Sequence, residues 1–212
     1  MKKTPSLFKR DYEGNRQVIN EVVPGSEWVL AGEGIATLKI DGTSCLVQGE
    51  RLYRRYDRKL NKQANQRKRN GHAGPWVEAD FKTPPEGFEP CESEPNQHTG
   101  HWPGWVPVGM EPQNQHHREG LRNSLQVAEE HQELFPDGTY ELVGPKVQGN
   151  PHKLGKHMLW RHGAVVLTIP VLTFEGIRDF LEGFRCEGIV WHHPDGRLVK
   201  IKRRDFGFAW PC

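Results

Sequence analysis

The chain has 212 residues, 35% of them hydrophobic, with a formal net charge of +2 and a mean hydropathy of −0.75. That is enough apolar material for one core of ordinary domain size, but no run approaches the ~20 apolar residues that cross a bilayer. The basic opening Met1-Lys2-Lys3 leads into no apolar stretch, so no secretory signal is expected. Four scattered cysteines (Cys45, Cys91, Cys186, Cys212) without CxxC spacing fit reduced thiols and a cytoplasmic protein.

Pro24-Gly25-Ser26 predicts a turn before Trp28-Val29-Leu30. The next run, Ile35 to Gln48, reads as a strand and carries Lys39-Ile40-Asp41-Gly42. A lysine among apolar β-formers is costly to bury, because desolvation disfavours the ammonium; the same penalty favours the neutral amine, which attacks electrophiles. Taken alone, Lys39 reads first as an edge-strand lysine with its amine in water. Asp41 alone reads as a turn brace, and Gly42 would let backbone approach a bound ligand closely.

Gly49-Glu50 predicts a tight turn, with Arg51 to Tyr56 returning as the second strand of a hairpin. From Arg51 to Asn70 nine Lys and Arg residues face one acid, Asp57, interleaved with Tyr53 and Tyr56. That density suits a phosphate-rich partner such as RNA, although Arg67-Lys68-Arg69 by itself reads as well as a solvated loop. Residues 71–117 are rich in Gly, Pro and His and carry Trp76, Trp102 and Trp105, which predicts a long ordered excursion without a helix. Cys91, His98 and His101 match no common zinc spacing, and His116-His117 reads as surface.

Leu121, Leu125, Ala128 and Phe135 recur on one face and predict a helix from Arg118 to Phe135, stopped by Pro136-Asp137-Gly138. Thr139 to Gly144 reads as a strand carrying Glu141, and Ala164 to Ile169 as another. A short helix is expected from an N-cap at Thr173 to Gly183. The end reads as a hairpin: Glu187-Gly188-Ile189-Val190-Trp191, the turn Pro194-Asp195-Gly196, then Leu198 to Arg204. Period 2 puts Lys200 and Lys202 on one face and Val199 and Ile201 on the other. Side by side, those lysines repel unless a phosphate sits between them; alone, they read as an edge-strand guard, and Glu187 alone as a surface acid.

Together, a strand lysine, a strand glutamate and a lysine pair form a coherent set for nucleotidyl transfer, in which cations and a carboxylate-held metal offset phosphate charge. Lys39-Ile40-Asp41-Gly42, Glu141, Glu187-Gly188-Ile189-Val190 and Lys200-Ile201-Lys202 occur in the order and approximate spacing of the KxDG, EGIV and KxK motifs. In this the chain resembles the covalent nucleotidyltransferase superfamily of RNA ligases, DNA ligases and capping enzymes, over roughly residues 30–205. Tyr140-Glu141-Leu142-Val143-Gly144-Pro145 with Gln148 is similar to the RNA-ligase branch. DNA ligases usually carry arginine where Ser44 stands. Lys39 to Cys45, Gly149 to His152 and His101 to Trp105 look like the small 5′-to-3′ RNA ligases that include vertebrate members.

The resemblance implies an α+β fold, a nucleotidyltransferase (ATP-grasp-like) domain of antiparallel sheets flanked by helices. One domain would span 1–212, with an insertion at about 61–117. Ten residues follow Lys202, so no C-terminal OB domain is expected. The implied function is an ATP- and Mg²⁺-dependent RNA ligase, Mn²⁺ substituting, that seals 5′-phosphate and 3′-hydroxyl RNA ends. Lys39 would form lysyl-AMP, Glu141 contact the ribose, and Glu187 bind Mg²⁺ directly or through water. Lys200 and Lys202 would hold the α-phosphate, Lys202 also steering pyrophosphate. An arginine after the lysine hairpin falls on Arg55 rather than Arg54, and Trp160 is the candidate for stacking on adenine. Many ligases place glutamate near the nucleophile to read adenine; here Thr37 and Leu38 precede Lys39, and Glu33 is the nearby acid. RNA ends would bind the basic stretch Arg51 to Arg69, with no membrane partner. The alternatives are a DNA ligase or guanylyltransferase of the same superfamily, or a non-catalytic RNA-binding protein.

Overall fold

Short alternating runs punctuated by glycine and proline fold into a β-rich chain, described over residues 3–212 in a computed structural model. The strands are β1 (Phe8–Arg10), β2 (Val18–Val22), β3 (Ile35–Lys39), β4 (Thr43–Gln48), β5 (Arg51–Lys59), β6 (Glu89–Pro90), β7 (His101–Pro107), β8 (Gly138–Val143), β9 (Met158–Arg161), β10 (Gly188–His192) and β11 (Leu198–Lys202). Three α-helices accompany them: α1 (Lys62–Arg69), α2 (Gln115–Glu130) and α3 (Phe174–Gly183). The ladders joining β4 to β5 and β8, β7 to β5 and β6, and β10 to β3 and β11 are antiparallel, so the chain is α+β. Among the described residues no helix is long and apolar enough to cross a membrane. The basic opening falls partly on Met1 and Lys2, outside the described residues.

The chain divides into two units. One is continuous over Gly42–Leu159, with Lys3 assigned to it as well; the other joins Thr4–Asp41 to Trp160–Cys212. The strand expected over Ile35–Gln48 therefore breaks at Ile40-Asp41-Gly42, and its halves enter different sheets. Gly42 explains the start of the second half: a Cβ there would lie 2.2 Å from the Leu142 carbonyl and 2.8 Å from Glu141 Cγ. The close approach that this glycine permits is to β8.

In the split unit β10 runs between β3 and β11. One face of this sheet packs Ala36, Ile189, Trp191, Val199 and Ile201 with Leu7, Phe8, Val29, Ile177 and Leu181. Helix α3 starts where expected, with the Thr173 hydroxyl accepting from Gly176 N at 3.1 Å. The strand expected at Ala164–Ile169 is no regular strand. It is extended chain touching β3 at one bridge, Thr37 with Val166, flanked by Leu38 N to Val165 O and Leu167 N to Ala36 O, both 2.8 Å.

In the continuous unit the sheet order is β6-β7-β5-β4-β8-β9, and the unit boundary falls within β9. Helix α2 begins three residues earlier and ends five earlier than the periodicity predicts. Its packed face is Gly120 and Ser124 with partly buried Leu121, while Leu125 is 46% exposed and Phe135 lies beyond the helix. Ser124 Oγ accepts from Leu159 N at 2.8 Å and Asn123 Nδ2 donates to His157 O at 2.9 Å, so small and polar residues join the helix to β9.

Part of the basic stretch is helix rather than loop: α1 is capped by Asn61, whose side chain accepts from Ala64 N at 2.9 Å. The 71–117 excursion is ordered and contributes a full strand, β7, paired along β5. Trp76 and Trp102 pack with Leu60, Ala64 and Phe81, and the Arg58 guanidinium lies over both the Trp102 and Phe81 rings. Among the described residues Cys91, His98 and His101 form no metal-holding group. His116 and His117 are not surface residues: both are half-buried, and His117 has neither ring nitrogen in contact with water or a hydrogen-bond partner.

Candidate active site

Three strands build the site in the split unit. Gly188 on β10 stands opposite Lys39 on β3 and opposite Lys202 on β11, so one cross-strand row reads Lys39–Gly188–Lys202. The row two residues along reads Thr37–Val190–Lys200. Alternation then puts Thr37, Lys39, Lys200 and Lys202 on one face and Leu38, Ile189 and Ile201 on the core face. Gly188 is required here, since a Cβ would lie 2.2 Å from the Ile201 carbonyl oxygen.

Glu187 binds the lysines of this row. Its Oε2 accepts from Lys39 Nζ at 2.6 Å and its Oε1 pairs with Lys202 Nζ at 2.7 Å. The carboxylate is 2% exposed, the lysines 19% and 28%, so the charges meet under partial cover and screening is reduced. Lysines grouped on one sheet face suit an anion such as a phosphate. A buried carboxylate is also the hard oxygen donor that Mg²⁺ takes, alongside water and phosphate oxygens.

The remaining residues of this unit divide by role. Thr37 is buried, and its hydroxyl donates to Val190 O at 3.1 Å and lies 2.9 Å from His192 Nε2. Burial and the charge of His162 hold His192 below the ordinary imidazole range, and since the Thr37 hydroxyl gives its hydrogen to Val190 O, it accepts from His192 Nε2–H. Leu38 turns its side chain into the core and spends its N–H on Val165. Asp41 accepts from the Trp210 indole at 2.8 Å. Glu33 pairs with His193 Nε2 at 3.0 Å. Trp160 is half-buried on β9.

In the continuous unit Glu141 lies on β8 opposite Ser44, 9% exposed. Arg55 on β5 stands opposite Trp105, with its guanidinium 5.7 Å from that ring and 3.2 Å from Asp57 Oδ1. The row Val106–Arg54–Cys45–Tyr140 fixes Arg54 on the face of the Cys45–Tyr140 core. Alternation therefore puts Arg55 on the other face, the one that carries Ser44 and Glu141.

A family model described as RNA ligase 1 matches residues 18–212. The chain belongs to the RNA ligase 1 family. Among its curated relatives, RNA ligase 1 of Rattus norvegicus is 32% identical over 260 residues, covering 100% of this chain and 79% of the relative. RNA ligase 1 of Danio rerio is 34% identical, covering 96% of the chain and 77% of the relative, and that of Pongo abelii 34%, covering 84% and 68%.

This RNA ligase 1 family member is accordingly an enzyme, a ligase. The sheet places Lys39, Lys200 and Lys202 on one face, and the Glu187 carboxylate just before β10 pairs with Lys39 and Lys202. Sequence reasoning missed the position of Gly188 between the two lysines, although its place in Glu187-Gly188-Ile189-Val190 carried the signal. It also missed the ties of Thr37 to His192 and of Asp41 to Trp210, which no local pattern announces because 155 and 169 residues separate the partners.

Proposed function

We propose that this ligase is an ATP- and Mg²⁺-dependent RNA ligase of the nucleotidyltransferase fold, acting through Lys39 as the nucleophile. The observation that carries this reading is the ion-paired row in which Glu187 holds Lys39 at 2.6 Å and Lys202 at 2.7 Å. The attack needs a neutral amine, and Glu187 Oε2 is positioned to take the proton that Lys39 gives up. An N–P bond then forms to the α-phosphorus of ATP as the P–O bond to pyrophosphate breaks. Lys200 and Lys202 face the developing charge, and Lys202 steers the departing pyrophosphate.

AMP next passes to an RNA 5′-phosphate, releasing the amine of Lys39. The RNA 3′-hydroxyl displaces AMP in turn, leaving a phosphodiester. Once Lys39 carries AMP it is no longer an ammonium, and when the proton taken up by Glu187 Oε2 has passed to solvent, that carboxylate oxygen would hold Mg²⁺, directly or through water. The ion, when bound, would offset charge on the phosphates.

The roles of Glu141 toward the ribose, Arg55 toward the nucleotide and Trp160 toward adenine rest on the resemblance, supported for Arg55 by the face it shares with Glu141. Thr37 and Leu38 would act by shaping the strand beneath the nucleotide, since their polar groups are committed within the fold. The RNA substrate is supported by the names of the relatives and by the basic β5 and α1, and a cytoplasmic setting by scattered cysteines without CxxC spacing.

The test is covalent labelling. Protein incubated with α-labelled ATP and Mg²⁺ should retain acid-labile label after denaturation, and Lys39→Ala should retain none. Absence of label with both ATP and GTP from folded protein sinks the reading. Sealing of 5′-phosphorylated RNA rather than nicked DNA then fixes the substrate class.

A further inference from the structure

Away from Lys39, the continuous unit gathers His116, Glu119 and His157. One ring nitrogen from each histidine and one carboxylate oxygen lie within 4.8 Å of one another. His116 and Glu119 sit three residues apart in the first turns of α2 and so share a face. His157 immediately precedes β9, and Asn123 of the same helix holds its carbonyl at 2.9 Å.

The hydrogen bonding fixes the tautomer of His157. Its Nε2 contacts the Pro145 carbonyl, which only accepts, so Nε2 carries the hydrogen. That leaves Nδ1, buried and 3.1 Å from Glu119 Oε2, as the nitrogen that faces the carboxylate. His116 Nδ1 is likewise buried without a partner. The two rings stack at 4.3 Å and 20°. A proton on His157 Nδ1 would satisfy only the pair with Glu119, whereas a metal ion among the three groups also takes up His116 Nδ1. Protonating both histidines would set two imidazolium rings face to face at that distance, whereas one divalent ion satisfies all three groups together.

We propose that His116, Glu119 and His157 form a binding site for one divalent transition-metal ion, Zn²⁺ being the expected species. Two imidazoles and one carboxylate suit Zn²⁺ and disfavour Mg²⁺, which takes oxygen donors, so this site is chemically distinct from the one assigned to Glu187. Tetrahedral donors at about 2.1 Å from zinc lie roughly 3.4 Å apart, so donors now within 4.8 Å of one another close by about 1.4 Å at most. The Pro145 carbonyl supplies the outer hydrogen bond that orients a metal-bound histidine. Three protein donors leave a fourth position for water. The ion would fasten the first turns of α2 to the segment entering β9.

The experiment uses the full chain without a polyhistidine tag, stripped with chelator and folded by circular dichroism. Co²⁺ should give the intense visible absorption of a four-coordinate site, and calorimetry should give one Zn²⁺ per chain in the presence of excess Mg²⁺. Zn²⁺ should also raise the melting temperature. Glu119→Gln and His116→Gln, at positions that are not fully buried, should each weaken Zn²⁺ binding by about tenfold or more and abolish the thermal shift. Absence of Zn²⁺ binding by the folded wild-type chain overturns the proposal. So does undiminished binding in both variants, which would locate the ion elsewhere.

Discussion

Lys39 Nζ lies 2.6 Å from the Oε2 of Glu187, a carboxylate 2% exposed and 148 residues away in the chain. Lys39 is therefore held as half of an ion pair, and its charge is separable by substitution from the nucleophilic role proposed for its amine. Lys39→Arg keeps a cation beside Glu187 and removes the attacking amine. The expected result is a melting temperature close to wild type with no protein-bound AMP, read by thermal denaturation and nucleotide labelling. Retained labelling would show that another lysine is the nucleophile.

Glu187→Gln leaves Lys39 and Lys202 facing each other across an uncharged amide. Loss of two charge-assisted contacts, in which the lysines are partly solvated, should cost about 2 kcal/mol in denaturant unfolding. Labelling should fall on the order of 100-fold, since the proton acceptor goes with the charge.

Gly188→Ala tests the backbone under the row. The added methyl would lie 2.2 Å from the Ile201 carbonyl, and relief requires β10 and β11 to separate. A loss of about 3 kcal/mol is expected, together with loss of labelling, although no charged group has been touched.

Arg54 and Arg55 are neighbours on opposite faces of β5. Arg55→Ala should reduce nucleotide transfer by about tenfold or more with a small change in stability. Arg54→Ala should act the other way round, because its face carries the Cys45–Tyr140 core. Equal effects on transfer would refute the assignment by face.

Burial pushes the Cys45 thiol well above its ordinary range, with the Glu141 charge adding to this, and raises Cys186 from 9.0 to about 11. Little thiolate forms at pH 8, so a thiol reagent should modify exposed Cys212 in the native protein, with Cys45 and Cys186 reacting only on unfolding. The sign for stability follows. Above pH 9.0 the unfolded thiols lose protons that the folded ones keep, so stability is full below that pH and declines between it and about 11 for Cys186. Denaturant midpoints measured across that range test the direction.

How much of this was legible in the sequence depends on the range of the interaction. The hairpin carrying Glu187, Lys200 and Lys202 was readable because alternation and a Pro-Asp-Gly turn are local signals. The break after Lys39 was not. Ile35 to Gln48 is a continuous run of strand formers, and only the approach of Gly42 to β8 explains why its halves part. Helix α1 buries only Ala64, so no apolar period betrays it, and α2 packs through Gly120 and Ser124, which a search for leucines passes over. Strand β7 was hidden by Pro103 and Pro107, residues that argue against a paired strand. The histidines at 116 and 157 are distant in the chain, and their stacking belongs to tertiary structure alone.

The row Lys39–Gly188–Lys202 also has a consequence in time. Strand β3 emerges early from the ribosome, but the strand that completes its pairing and the carboxylate that neutralises its lysine come about 150 residues later. Until then Lys39 sits on an unfinished edge, and a chain interrupted before Glu187 lacks the carboxylate that pairs with it. Catalytic competence should therefore return late during refolding, in step with this long-range pairing rather than with the local hairpins, as expected where loop closure precedes reward.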